Sequence, residues 1–179
     1  MKIIDNFLME ADWAEMEMLL RDCKDPVECP NDEQDHKNLN RVDLFLVTGE
    51  AKERWMKHLS DSNIITEAYQ SNPDYQVRYH ITRSPYYSNF HCDRTTDWHS
   101  DVIDYVGITF FLNNGWHHND GGCYCYKQSW DHTQGTFVEP LGNRLIVNTQ
   151  DLPHAVTQIT NPNVARHSIQ MFIAKELLR

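Results

Sequence analysis

Hydrophobic and polar positions change rhythm near residue 75 of this 179-residue chain. Before that point, the clearest pattern lies in Glu10 to Arg21. Trp13, Met16, Leu19 and Leu20 recur there at steps of three and four, which predicts an amphipathic helix with one face to bury. Glu50 to Ala68 carries Trp55, Leu59, Ile64 and Ile65 in the same manner and predicts one or two further helices. Lys2 to Asp5 and Val42 to Val47 read as short strands. The polar stretch Asp22 to Asn40, with Pro26 and Pro30, reads as a surface loop. From Tyr75 onward the period shortens to two. Strands are expected at Gln76 to His80, Tyr105 to Leu112, Gly122 to Tyr126, Arg144 to Asn148, Ala155 to Ile159 and Arg166 to Ile173. Asn114-Gly115 and Asp120-Gly121-Gly122 supply turn chemistry between them. The order predicts an α+β, mainly β fold in a single domain spanning 1–179. Helical support covers about 1–74 and packs on one sheet, and a sandwich or barrel covers about 75–179.

The last of these strands is two-sided. Arg166, Ser168 and Gln170 share one face, and His167, Ile169, Met171 and Ile173 share the other. If the apolar face packs on the helices, the polar face looks into the concave side of the sheet. Each polar group buried there without a partner costs about 1–3 kcal/mol. A ligand cavity therefore explains that face better than a plain core.

Candidate ligands for a metal lie on either side of these strands. Trp98-His99-Ser100-Asp101 can aim an imidazole and a carboxylate at one point, since residues two apart on a strand share a face. His154, after Pro153, can close the set. Two His and one carboxylate on one side of a metal is the facial arrangement of non-haem Fe(II) sites. His99, Asp101 and His154 are the expected metal set. His91-Cys92-Asp93, eight positions upstream, is a second H-x-D that could supply the pair instead. Arg166 and Ser168 are placed to grip a carboxylate beside the metal. Cys123 and Cys125 lack the second pair of a structural zinc site and read as core or cavity lining. His117-His118 sits in a polar turn and reads as solvated. No G-x-S-x-G, phosphate-cradling Gly loop or H-E-x-x-H is present. The net charge of -10 opposes general binding of nucleic acid. Five Cys, with no secretory pattern at the N-terminus, point to reduced thiols and a cytoplasmic setting. No apolar run is long enough for a membrane span.

From about Val77 to Ala174 the chain resembles the iron- and 2-oxoglutarate-dependent dioxygenases, and most closely their prolyl-hydroxylase branch. The matching pieces are Trp98-His99-Ser100-Asp101, Gly107 to Trp116, Asp120-Gly121-Gly122, Gly142 to Val147, Pro153 to Val156 and Arg166 to Ile169, in the family's order. The resemblance implies a double-stranded β-helix, the jelly-roll barrel shared with cupins. It implies Fe(II) on His99, Asp101 and His154, and 2-oxoglutarate with its far carboxylate on Arg166 and Ser168. O2 is then the second co-substrate, and the reaction is hydroxylation of an unactivated C–H. Asp101 keeps the acidic ligand that halogenating relatives lose. One departure is Phe111, which stands where prolyl hydroxylases commonly place a carboxylate-binding Tyr. The implied substrate is a small molecule or a peptide, such as a peptidyl or free amino acid, with proline foremost. The alternatives are a non-enzymatic cupin-like binding module and a nucleic-acid demethylase of the same superfamily. Candidate lids are 22–40, 82–96 and 116–121, and Tyr86, Tyr87, Phe90, Trp98 and Trp130 are candidate pocket walls.

Overall fold

The computed structural model describes residues 1–23, 42–71, 75–91, 105–150 and 152–179. Two helices and ten strands make up its regular elements, among the described residues. Helix α1 (Glu10–Arg21) begins with Glu10 and Asp12 at its positive end and buries Met16 and Leu20. Helix α2 (Gly49–Asp61) buries Ala51, Trp55, Met56 and Leu59. The Glu50 to Ala68 pattern does not continue as one helix. Asn63 adopts φ 55°, Ile64 N–H donates to the Leu59 carbonyl at 2.9 Å and Asn63 N–H to that of Ser60 at 2.9 Å. These bonds close the helix end on its own carbonyls. A 3-10 turn, Glu67–Ser71, follows.

The strands are β1 (Lys2–Asp5), β2 (Val42–Val47), β3 (Val77–Arg83), β4 (Ser88–His91), β5 (Tyr105–Phe111), β6 (Tyr124–Tyr126), β7 (Thr136–Val138), β8 (Arg144–Asn148), β9 (His154–Val156) and β10 (Ala165–Ala174). They form a six-stranded antiparallel sheet, ordered β1-β8-β5-β10-β3-β2, and a four-stranded one, ordered β4-β9-β6-β7. Strand β9 starts at His154 and stops at Val156, earlier than the Ala155 to Ile159 pattern suggests. Beyond it the backbone leaves the ladder, with Thr157 N–H on the Cys123 carbonyl and Ile159 N–H on that of Tyr86.

The large sheet has two distinct faces. Val106, Ile108 and Phe110 of β5 and Ile169, Met171 and Ile173 of β10 join Met16, Leu20, Trp55, Met56 and Leu59 of the helices in one buried cluster. Trp55 anchors it, fully buried, with its ring 5.2 Å from that of Phe110 and its N–H donating to Met171 Sδ at 3.3 Å. The opposite face meets the small sheet. Phe111 and Ile146 pack there against Tyr124 and Val138. The polar side of β10 is thus turned inward between the sheets, away from the helices. No helix among the described residues is long and apolar enough to cross a membrane.

Candidate active site

A cavity of about 100 Å³ opens between the two sheets. Tyr86, Ser88, His91, Thr109, Tyr124, His154, Arg166 and Gln170 are among its lining. Two larger hollows lie elsewhere. One, near 340 Å³, sits between α1 and the loop after β5. The other, near 640 Å³, runs along Tyr87, Phe90 and Phe137. The smallest of the three is the one that brings two histidines together with a fully buried arginine, so chemistry and not size marks the candidate site.

His154 is 6% exposed at the start of β9. Its Nδ1 lies 2.9 Å from the Leu152 carbonyl. A carbonyl only accepts, so Nδ1 carries the proton and Nε2 is the lone-pair nitrogen. The carbonyl is itself held in place. The Asn148 side-chain amide donates to it at 3.1 Å and accepts from Leu152 N–H at 2.9 Å. Tyr124 stacks on the imidazole, 5.0 Å between centroids and 13° between planes.

His91 faces His154 across the β4–β9 pair. The two rings are 4.4 Å apart at their centroids. His91 Nδ1 lies 2.8 Å from the carbonyl of Asn89, two residues back. His154 uses the carbonyl two residues back in the same way. Both imidazoles therefore present Nε2, the arrangement that metal-ligating histidines need. His99 and Asp101 lie outside the described residues, as does Asp93. Among the described residues no three His, Cys, Asp or Glu side chains come together as a metal site.

Arg166 enters the cavity from β10 and is 1% exposed. Its Nε and Nη2 have no hydrogen-bond partner among the described residues. The guanidinium lies over the Phe111 ring, 4.9 Å from its centroid. Burial pulls its pKa down to about 10, an effect opposed by Tyr86, Cys123 and Tyr124. It remains charged at neutral pH. A buried cation without a counter-charge is costly, so the position calls for an anion. Ser168, on the same face, is fully buried, and its hydroxyl also lacks a partner. These two orphaned side chains fit the carboxylate of an organic acid, and the paired imidazoles fit a divalent metal. Gly122 makes room for them. It sits at φ +66°, and a Cβ there would lie 3.3 Å from Arg166 Cδ.

Other expected site residues are distributed differently. Tyr86 lines the cavity. Tyr87 and Phe90 line the outer hollow beside β7. Trp130 is 58% exposed, and Trp98 is outside the described residues. Cys125 is buried, which pushes its thiol up to about 11. His117 and His118 are exposed, and His117 caps the turn at Asp120. Three contributors were not singled out from the sequence: His80, Asn148 and Tyr124. His80 lies directly across from Ser168 in the β3–β10 register. The two-residue period already places it beside Thr82 and opposite Tyr79, and its polarity on an inward face was the available signal.

No family model matches the sequence, and no curated protein matches it. Solved structures do share its fold. A prolyl hydroxylase from Trichoplax adhaerens, in complex with a hypoxia inducible factor oxygen degradation domain peptide fragment, superposes with TM-score 0.69 at 16% identity, over 98% of this chain and 83% of that one. A prolyl-4-hydroxylase from Pseudomonas putida gives TM-score 0.64 at 17% identity, over 97% and 91%. HygX from Streptomyces hygroscopicus, with nickel and 2-oxoglutarate bound, gives 0.61 at 11% identity, over 95% and 80%. At these identities the likeness is one of fold.

Proposed function

We propose that this chain is an iron(II)- and 2-oxoglutarate-dependent oxygenase that hydroxylates a C–H bond, with its facing sheets forming a double-stranded β-helix. The observation that carries this reading is one cavity holding both kinds of group. Two adjacent imidazoles, their rings tilted by 54° and 4.4 Å apart at the centroids, present Nε2 there, and a buried guanidinium stands with orphaned donors. His154 and His91 would hold the metal, with Asp93 two positions on in the sequence. The close approach of the His91 and His154 rings, paired across β4 and β9, supports that choice over His99 and Asp101. Bound there, iron(II) supplies the oxidising chemistry by which O2 and 2-oxoglutarate give CO2, succinate and a hydroxylated product. The chain's own residues prepare the site. Arg166 pairs with the far carboxylate of the diacid through its planar fork. Ser168 adds a hydroxyl donor. Asn148 and the Leu152 carbonyl keep the proton of His154 on Nδ1. Phe111, Tyr124 and Ile146 wall the space between the sheets and keep water from it. The substrate we favour is a peptidyl or free amino acid, proline foremost. Two of the compared structures are prolyl hydroxylases, and one of them holds a peptide.

Succinate release from 2-oxoglutarate tests the activity. It should require both added Fe(II) and O2, and Zn(II) should not replace the iron. Absence of turnover in iron-loaded protein across amino-acid and peptide panels would leave a metal-binding module. Metal binding separates the two H-x-D pairs. His91→Ala and His154→Ala should each lose tight Fe(II) binding, whereas His99→Ala should retain it. Loss in His99→Ala with retention in His91→Ala would return the pair to His99 and Asp101.

A further inference from the structure

Six buried side-chain atoms have no hydrogen-bond partner among the described residues. Two of them, Trp13 Nε1 and His58 Nε2, belong to the helices. The other four are Arg166 Nε, Arg166 Nη2, Ser168 Oγ and His80 Nε2. These four come from one junction between β3 and β10. His80 pairs with Ser168 across the two strands, and Thr82 pairs with Arg166. Directly opposed side chains stand on the same face, with Cβ atoms about 4.5–5.5 Å apart. Thr82 is already satisfied, since its hydroxyl donates to the Arg166 carbonyl at 3.2 Å. The remaining three side chains can all donate, and among the described residues nothing accepts from these four atoms.

We infer that His80 is a third binding group for the far carboxylate of the diacid, completing a cradle with Arg166 and Ser168. The inference rests on reading this cavity as a 2-oxoglutarate site. A carboxylate is acceptor-only and offers about four lone-pair positions, so it can take a hydrogen bond from all three of these side chains at once. Arg166 can only donate, so of the three it sets the demand for an acceptor that is also an anion. Burial, reinforced by the positive charges of Arg166 and Arg78, pushes the His80 imidazole down to about 3. His80 is therefore neutral at pH 7 and adds a hydrogen bond without a second cation beside Arg166. Its Nε2 carries the proton when the ligand is bound.

The test compares two 2-oxo acids in manganese(II)-loaded, oxygen-free protein. 2-Oxoglutarate has the far carboxylate and pyruvate lacks it, so the ratio of their affinities reports on the cradle alone. His80→Leu should lower that ratio about 10- to 100-fold, the usual range for a hydrogen bond to a charged group. His80→Gln, which returns an amide donor near the Nε2 position, should recover most of it. Arg166→Met should lower the ratio further. If Arg166→Met collapses the ratio and His80→Leu leaves it unchanged, His80 has no part in the cradle and the oxygenase reading stands. Equal weakening of both acids in His80→Leu assigns His80 a structural role and also overturns the inference. An unchanged ratio in both variants removes the diacid anchor itself. Should Arg166→Met fail to fold, the His80→Leu and His80→Gln pair still decides.

Discussion

The proton on His154 Nδ1 is fixed by a chain of three residues. Asn148 is 1% exposed and has no route to water. Its amide grips both backbone groups of Leu152, and the Leu152 carbonyl in turn takes the imidazole N–H. Partners of this kind typically change metal affinity 10- to 100-fold when removed. Asn148→Ala should therefore weaken manganese(II) binding by about that factor, as read by calorimetry, with the circular dichroism spectrum kept. Unchanged metal affinity would mean that the ring is held by packing on Tyr124 alone. The chain of contacts was only half legible beforehand. The sequence marks His154 as a candidate ligand, but does not show which backbone carbonyl takes its N–H. The choice depends on Asn148 reaching four residues forward across the β8–β9 turn. His80 was hidden for a similar reason: a histidine inside a strand gains meaning only when register sets it opposite Ser168.

Among the elements, β10 does most to define the site, because its two-residue period sends Ile169, Met171 and Ile173 to the helices and Arg166 to the cavity. That division was readable directly from the alternation of residue types. So were α1, β2 and β8, whose bounds coincide with the periodic segments. Strands β4 and β7 were not anticipated. Ser88–His91 and Thr136–Val138 are four and three residues long, too short for a period to show, and only their neighbours in the small sheet define them. The missed β4 matters most, since it carries His91 to His154. The turn ahead of β6 offers a test at this scale. A Cβ at Gly121 would meet the Gln158 carbonyl oxygen at 1.9 Å, a backbone atom, whereas one at Gly122 would touch side chains, Arg166 Cδ at 3.3 Å among them. Both glycines have positive φ, where a non-Gly residue costs about 1–3 kcal/mol. Gly121→Ala should lose more stability in denaturant melts than Gly122→Ala. Gly122→Ala should show the larger loss of 2-oxoglutarate affinity relative to its stability. Equal profiles for the two would disconnect this turn from the anchor.

At the scale of the whole molecule, the helices bury the outer face of one sheet and leave its inner face free to hold polar groups opposite a second sheet. The fold class was legible because both long helical patterns come before the run of strands that starts at β3. The pairing of strands across the sheets was not, since β9 meets β4 and β6 through contacts distant in sequence. One consequence spans both sheets. The imidazoles belong to the small sheet and the guanidinium to the large one, so a metal and a diacid that share the cavity must feel one another. The most direct test is a calorimetric titration of 2-oxoglutarate into oxygen-free protein with and without manganese(II). Metal should tighten 2-oxoglutarate, and 2-oxoglutarate should tighten metal by the same factor, because coupling between sites is reciprocal. Both effects should vanish in His154→Ala. Equal 2-oxoglutarate affinity in the presence and absence of metal would contradict the shared site.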